Sequence, residues 1–351
     1  MTPESLQQRI REAADRGAPL RLRGGGSKDF YGNAPRGELL DTRSYAGIVS
    51  YEPTELVVTA RCGTPLSFLE KTLHEKGQCL PFEPPHFGDA TFGGCIAAGL
   101  SGPRRASAGA LRDFVLGAKI IDGRGRLLGF GGQVMKNVAG YDVSRLLAGS
   151  LGTLGLIVEA SLKVLPRAPC DQTLRLEAPE ARAIEAMNGW AGQPLPVSAT
   201  AWCDGELAVR LSGAAPAVRA AAAKIGGEAQ PGEAAAGFWS AVREQTDAFF
   251  AGPEPLWRLA VSPAAAPLAL AGRQMIEWGG ALRWLKSGAG AEQVREAAKR
   301  AGGHATLFRA ADKPVNAFAP LDPGVMRIHQ ALKKAFDPAG ILNPGRMYKE
   351  L

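Results

Sequence analysis

The sequence predicts an α+β fold with two successive regions. Three observations support this prediction: helical and strand-like segments alternate through the first half, glycine-rich clusters interrupt them, and alanine-rich helical segments follow Pro166. A chain of 351 residues has the length of about two domains. We place a first domain at residues 1–168 and a smaller α/β second domain at 169–315. A C-terminal segment, 316–351, is expected to dock back on the first domain.

The first region begins with an amphipathic helix. Thr2 provides a cap, Pro3 suits the first helical position, and Gly17 ends the helix. Hydrophobic patterning then predicts strands at 19–23 and 55–60, a helix from 64 to 77, a hairpin of strands 114–121 and 126–130, a short helix at 142–147 and a strand at 156–165.

The second region alternates helical and strand-like patterns in the same way. Alanine-rich stretches predict helices at 179–192, 215–225, 233–250 and near 290–302. Shorter runs predict strands at 206–211, 257–261 and 281–285 and near 305–308. The tail, DPAGILNPGRMYKEL, is punctuated by proline and glycine, which is typical of a segment that runs along a surface.

Composition narrows the class of protein. The net charge is +7, but no run of lysine and arginine reaches five, so we do not expect nucleic-acid binding. The five cysteines form no CxxC pair, so we expect no metal site. The N-terminus has no apolar signal core and no window of about 18 apolar residues occurs, so a cytoplasmic location is expected.

Three glycine-rich clusters lie in the first half: RLRGGGSK at 21–28, TFGGCIAAGLSGP at 91–103 and GSLGTLGLI at 149–157. Glycine lets backbone N–H groups approach a bulky anion closely. A coil rather than a helix follows the first cluster, and Ser27 precedes Lys28, so neither a Rossmann nor a P-loop site fits. The clusters therefore predict a large, phosphate-bearing cofactor in another kind of fold.

Longer motifs surround these clusters. ELVVTARCGTPLSFLEKTLHEKG, EPP before ATFGGCIAAGLSG, KNVAGYDVSRLLAGSLGTLGLI and the terminal FDPAGILNPGRM occur in that order. Together they resemble the flavoprotein superfamily of vanillyl-alcohol oxidase and p-cresol methylhydroxylase over nearly the whole chain. The resemblance implies a two-subdomain FAD-binding domain, a smaller second domain and a C-terminal tail that returns to the FAD domain.

Further motifs narrow the resemblance. PFEPPHFG, LSGPRRASAGALRDFVLG and WGGALRWLKS are similar to those of the FAD-binding subunits of glycolate oxidase. That family implies a sister FAD-linked subunit, an iron–sulfur subunit, a small 2-hydroxy acid substrate and electron transfer to a membrane acceptor. It leaves open a peripheral contact with the inner face of the membrane. The stretch where the superfamily often has a flavin-linked histidine is GGGSK here, so we expect non-covalent FAD.

The resemblance assigns FAD contacts to residues from all three clusters, from their flanks and from the tail. They are Arg23, Gly24, Gly25, Gly26, Ser27, Pro85, Ala90, Thr91, Gly93, Gly94, Ala97, Gly99, Ser101, Gly102, Tyr141, Arg145, Gly152, Gly155, Ile157, Asn343 and Gly345. Ordinary turns explain the glycines less well than a cofactor does. Cys95 is expected to pack rather than to react.

Catalytic residues are not identified. The catalytic sister subunits of this family carry an H-x-G-D-G-N-x-H type motif, and the second region here has none. The expected role is therefore that of a flavin subunit within a complex. Two alternatives stay open: a self-sufficient dehydrogenase of an acid such as D-lactate, and a structural subunit whose flavin site is vestigial.

Overall fold

The computed structural model describes residues 2–132 and 142–351. Its α-helices are α1 (Pro3–Arg16), α2 (Leu66–Glu75), α3 (Phe92–Ala98), α4 (Arg105–Ala108), α5 (Leu111–Phe114), α6 (Val143–Leu146), α7 (Glu180–Ala191), α8 (Ala215–Ile225), α9 (Gly232–Glu244), α10 (Ala291–Arg300) and α11 (Pro323–Phe336). Short 3₁₀ turns cover Ala248–Phe250 and Trp278–Gly280. No helix in this part of the chain is both long and apolar enough to cross a membrane.

The strands of the described residues divide into a group before residue 168 and a group after it. The earlier ones are β1 (Leu20–Arg23), β2 (Glu38–Asp41), β3 (Ile48–Glu52), β4 (Val57–Arg61), β5 (Gln78–Cys79), β6 (Val115–Ile121), β7 (Leu127–Gly131), β8 (Leu156–Lys163) and β9 (Leu165–Pro166). The later ones are β10 (Cys170–Glu177), β11 (Val197–Cys203), β12 (Glu206–Gly213), β13 (Glu228–Gln230), β14 (Leu256–Ala260), β15 (Arg273–Glu277), β16 (Leu282–Lys286) and β17 (His304–Arg309).

The first region is built on a five-stranded antiparallel sheet in the order β3-β4-β8-β6-β7. The predicted hairpin is confirmed as β6 and β7, which pair directly. Apolar residues of α2 and α3 pack against this sheet, and β8 is buried along most of its length. The central strand β8 leads straight out of the third glycine cluster, so this sheet sets the position of that loop.

The C-terminal tail returns to the first region, as predicted. Ile341 and Leu342 are buried in one cluster with Leu6 and Ile10 of α1. The buried Lys333 ammonium of α11 donates to the Leu342 carbonyl at 2.7 Å and to the Thr153 carbonyl at 2.9 Å. The tail thereby joins the third glycine cluster.

The second region is an eight-stranded antiparallel sheet in the order β13-β10-β12-β11-β15-β16-β14-β17. Helices α7 and α8 pack against its first strands, and α10 packs against β14, β16 and β17. A further apolar cluster joins Leu256, Trp284 and Phe308 of this sheet to Tyr31 and Leu100 of the first region. The two regions therefore share one core beside the glycine clusters.

The structure differs from the sequence prediction at several elements. The second glycine cluster forms the helix α3 rather than an open loop, because Phe92, Cys95 and Ile96 lie on one buried helical face. The predicted helix 233–250 ends at Glu244, since Gln245 has a left-handed φ of +53°. Strands β10, β11 and β15 and helix α11 were not predicted. In α11, Val325, Ile328 and Leu332 do recur at helical spacing, so this helix could have been predicted from the sequence.

Candidate functional site

The three glycine clusters meet at one open cleft, which we call the glycine cleft. The empty space along it, part of which is open to solvent, amounts to about 840 Å³. The turn after β1 forms one wall, α3 forms another, and the loop before β8 forms the third together with the tail. Thirteen of the residues predicted from sequence line it: Arg23, Gly24, Gly25, Gly26, Ser27, Thr91, Gly93, Gly94, Ala97, Gly152, Gly155, Ile157 and Asn343.

The turn at residues 24–28 supplies free hydrogen-bond donors. No backbone N–H group of these five residues donates to another residue within 2–132 or 142–351. The turn also abuts the second cluster, because a Cβ atom at Gly25 would lie 1.4 Å from the Asp89 carbonyl oxygen. Gly26 has a φ of +76°. Gly25 must be glycine because of the close approach, and Gly26 is favoured as glycine because of its positive φ.

The second cluster contributes mainly shape, because three of the N–H groups at its start bond within the protein. The Phe92 N–H donates to the Thr64 carbonyl and the Gly93 N–H to the Cys62 carbonyl, each at 2.8 Å. The Gly94 N–H donates to Thr91 Oγ1 at 3.3 Å. Three of the four backbone N–H groups that we expected Thr91–Gly94 to offer to an anion are therefore already occupied within the protein. What these residues offer is a wall without bulky side chains.

Asn343 ties the third wall to the first. Its Oδ1 accepts from the Leu22 N–H at 2.8 Å, and its Nδ2 donates to the Leu151 carbonyl at 2.7 Å. Its own N–H donates to the Leu20 carbonyl at 2.9 Å. Both polar atoms of the side chain thus bond to the protein backbone, so Asn343 holds the walls of the cleft together. A Cβ atom at Gly152 would lie 2.8 Å from this amide.

Three cationic side chains line the cleft although the prediction omitted them. Arg21 Nε is buried without a hydrogen-bond partner among the described residues. Burial lowers the pKa of Lys28, which donates to the His86 carbonyl at 3.1 Å. Burial also lowers the pKa of Arg346 to about 10. Strand alternation is a signal that could have found Arg21, because it shares a face of β1 with Arg23.

Arg346 fixes the conformation of the first turn. Its guanidinium donates to the carbonyls of Asp29 at 2.9 Å, of Lys28 at 3.1 Å and of Asn33. Because Arg346 binds these carbonyl groups, the N–H groups earlier in the turn stay available to a ligand in the cleft. Arg346 also contributes positive charge to a site that suits an anion.

A second, narrow cavity lies where the two regions meet. Pro85, Ser101 and Gly102 of the first region line it with Arg258, Glu277 and Trp284 of the second, among others. Glu277 is buried and accepts from Trp284 Nε1 at 2.7 Å. Burial raises the pKa of this carboxyl to about 7, against the smaller lowering effects of the Trp284 bond and the Arg258 charge.

The other predicted residues lie elsewhere. Ala90 is buried just before Thr91, and Gly99 ends α3 with a φ of +64°. Arg145 is half-exposed and pairs with Asp142 at 3.1 Å. Gly345 accepts from Asn33 Nδ2 at 2.9 Å rather than lining the cleft. Tyr141 is outside the described residues.

The donor set of the glycine cleft fits a pyrophosphate. The turn at 24–28, whose N–H groups have no acceptor among the described residues, lines this cleft together with Arg21, Lys28 and Arg346. Arg21 Nε likewise has no partner in that part of the chain. No histidine is among the described lining residues, and burial raises the pKa of the lining thiol Cys62 to about 12. These two facts favour binding without a covalent bond. The described residues contain no cluster of three potential metal ligands.

Comparisons with known proteins agree with this geometry. Residues 1–131 match the family "FAD binding domain", and residues 319–347 match "FAD linked oxidases, C-terminal domain". The glycolate oxidase subunit GlcE of Escherichia coli strain K12 is 49% identical over 99% of this chain and 98% of its own length.

More distant relatives match in part. The glycolate oxidase subunit GlcD of Bacillus subtilis is 32% identical over 44% of this chain and 34% of its own length. The D-lactate dehydrogenase of Archaeoglobus fulgidus is 32% identical over 53% and 41%. Among solved structures, an alkyldihydroxyacetonephosphate synthase superposes with a TM-score of 0.70 at 18% identity, covering 97% of this chain and 75% of that one. This last likeness concerns the fold alone.

Proposed function

Because the chain belongs to the family of the glycolate oxidase subunit GlcE, we propose that it is the FAD-binding subunit of a complex that oxidises glycolate to glyoxylate. It is an FAD-linked oxidoreductase subunit of the p-cresol methylhydroxylase type. In the proposed complex, a sister FAD-linked subunit and an iron–sulfur subunit are its partners. Electrons leave through them to a membrane acceptor.

The turn at residues 24–28 carries this proposal. Its free N–H groups, the unpartnered Arg21 Nε and the buried Arg346 converge on one cleft. Charge-assisted hydrogen bonds of this kind contribute about 1.5–3 kcal/mol each. We propose that the turn binds the pyrophosphate and that Gly93, Gly94 and Ala97 leave room for the cofactor beside α3. Gly152, Gly155 and Ile157 would then face its adenosine end.

Bound FAD supplies the acceptor for two electrons and a proton. The chain itself binds and orients the cofactor and excludes water from it. We propose that the cofactor extends past the C-terminal end of α3 toward Pro85, Ser101 and Gly102. The proposed attachment is non-covalent, because no histidine is found among the described residues that line the cleft.

One substitution tests whether the flavin site of this subunit is needed for activity or is vestigial. Gly94 lines the cleft, and Gly94→Trp fills it with an indole ring. We expect the purified complex with this variant to lose both the flavin of this subunit and its glycolate-oxidising activity. Gly189→Trp is the matched control, because nothing lies within 4 Å of a Cβ atom at Gly189. Full activity without this flavin would contradict the proposal and favour a purely structural subunit.

A second experiment tests whether this chain oxidises the substrate itself. The isolated chain, loaded with FAD, is mixed anaerobically with glycolate and with D-lactate. We expect slow bleaching of the flavin or none, because the second region lacks the histidine motif of the catalytic sister subunits. Rapid bleaching would instead favour a self-sufficient dehydrogenase of a small 2-hydroxy acid.

A further inference from the structure

Trp278 has an unusual backbone conformation at the junction of the two regions. It has a φ of +55°, and the two glycines that follow have φ values of +65° and +104°. A bulky side chain in the left-handed region is strained, and such strain persists only where the surroundings impose it. Gly279 provides part of that constraint, because its N–H donates to Thr200 Oγ1 at 3.0 Å and its carbonyl accepts from Asn188 Nδ2 at 3.2 Å.

The Trp278 side chain reaches across to the first region. Its Nε1 donates to the Gly102 carbonyl at 2.9 Å, and both groups are buried. The guanidinium of Arg105, from the first region, lies 4.4 Å from the centre of the indole ring, and that of Arg258, from β14, lies 5.2 Å from it. Cation–π contacts with two arginines fix the ring in place. The indole ring therefore contacts one arginine from α4 and one from β14, and its N–H binds the Gly102 carbonyl.

That carbonyl belongs to a segment that is held on both sides. The Gly102 N–H donates to the Phe82 carbonyl at 2.8 Å. A Cβ atom at Gly102 would lie 2.2 Å from the Glu83 carbonyl oxygen. Trp278 is thus a hydrogen-bond partner from the second region for a peptide group whose N–H donates within the first. The Arg105 N–H also donates to this carbonyl, at 3.1 Å. Loss of the Trp278 N–H would therefore remove the shorter of its two hydrogen bonds and its bond from the second region.

The same segment lines the second cavity. Ser101, Gly102 and Pro103 face this cavity together with Glu277 and Trp284. The cavity lies past the C-terminal end of α3, and α3 is also a wall of the glycine cleft. Any cofactor that enters by the cleft and extends along α3 meets the segment that Trp278 holds.

We propose that Trp278 is a positioning residue that fixes Ser101–Pro103 against the redox-active ring system of the bound flavin. The second region then tunes the electronic environment of the flavin and does not anchor its phosphates. This inference rests on the proposed function, because it requires FAD in the cleft. Under this proposal the second region tunes the cofactor. It needs no substrate-binding motif for that role.

The test compares two tryptophan-to-phenylalanine variants of the full chain loaded with FAD. Trp278→Phe removes the donor to Gly102 and keeps an aromatic ring. Trp202→Phe is the matched control, because Trp202 Nε1 donates to the Ala178 carbonyl at 2.8 Å within the second region. The readouts are the FAD dissociation constant, the visible absorption bands of the flavin and its midpoint potential.

We expect both variants to bind FAD within about threefold of the natural chain, a difference of less than 1 kcal/mol. Only Trp278→Phe should shift the flavin bands and the midpoint potential. Arg105→Met provides a second probe should Trp278→Phe fail to fold, and it should shift the bands in the same direction by less. Bands and potential unchanged in every variant that folds would overturn the inference and leave the proposed function intact. A natural chain that takes up no FAD would overturn both.

Discussion

The glycine cleft and the second cavity differ in what builds them. The cleft is made largely of backbone, and the N–H groups of its turn at 24–28 have no partner in residues 2–132 and 142–351. The second cavity is made of side chains that already have partners, such as Glu277 with Trp284. A site of the first kind binds whatever matches its free donors, and one of the second kind fixes the geometry around it. The comparison therefore assigns binding to the cleft and tuning to the cavity.

The largest effect is expected from a methyl group in the cleft. In Gly25→Ala, the new Cβ meets the Asp89 carbonyl oxygen, a backbone atom that cannot rotate away. We expect FAD affinity to fall by about 1,000-fold, or about 4 kcal/mol, as measured by calorimetric titration. Gly129→Ala is the control, because no atom of the described residues lies within 4 Å of its Cβ position. Equal affinities would remove the basis for a backbone-built site.

The next effect concerns pH and the cavity. The pKa of Glu277 is raised from 4.5 to about 7 in the folded chain. Between these pH values the unfolded chain releases this proton and the folded chain keeps it, so the free energy of unfolding falls as pH rises. In Glu277→Gln this contribution is absent. The variant should therefore gain stability relative to the natural chain from pH 4.5 to 7, by on the order of 3 kcal/mol.

Chemical denaturation across this pH range measures the difference. Glu296→Gln, on the exposed face of α10, is the control and should show no such trend. A constant difference between the natural chain and Glu277→Gln would mean that the carboxyl is ionised throughout. The second cavity would then contain an ionised Glu277 carboxylate even though this side chain is buried.

The smallest effect tests the tie between the cleft walls. Asn343→Ala removes the bonds to the Leu22 N–H and the Leu151 carbonyl. We expect a loss of about 2 kcal/mol in the free energy of unfolding, because two buried backbone groups lose their partner. FAD affinity should fall as well, since the walls separate. Gln193→Ala, whose amide makes an exposed bond, should change neither quantity. Lower stability with unchanged affinity would limit Asn343 to a structural role.

The difference between the glycine cleft and the second cavity also explains which features the sequence could predict. Local signals at Thr2, Pro3 and Gly17 define α1, and glycine spacing indicates the cleft because close backbone approach leaves a mark in the sequence. The sequence did not indicate that the N–H groups of Phe92 and Gly93 are occupied, because the carbonyls that accept from them belong to Thr64 and Cys62, about 30 residues away. Arg346 is 300 residues or more from the carbonyls that it binds in the first turn, and no local pattern indicates such a pairing.

The second cavity was less accessible to prediction. Trp278 and Trp284 are buried in the way that ordinary core residues are. Their hydrogen bonds to Gly102 and Glu277 depend on how two sheets meet. The proposed FAD contacts of Tyr141 and Arg145 stay predictions.

The central claim is that this chain binds FAD non-covalently in the glycine cleft. The most direct measurement is the visible spectrum of the purified chain before and after acid precipitation. We expect a yellow protein with about one FAD per chain, because the site is built around a single pyrophosphate position, and we expect all colour in the supernatant after precipitation. A colourless chain that takes up no added FAD would contradict the claim. Colour retained in the precipitate would contradict its non-covalent part.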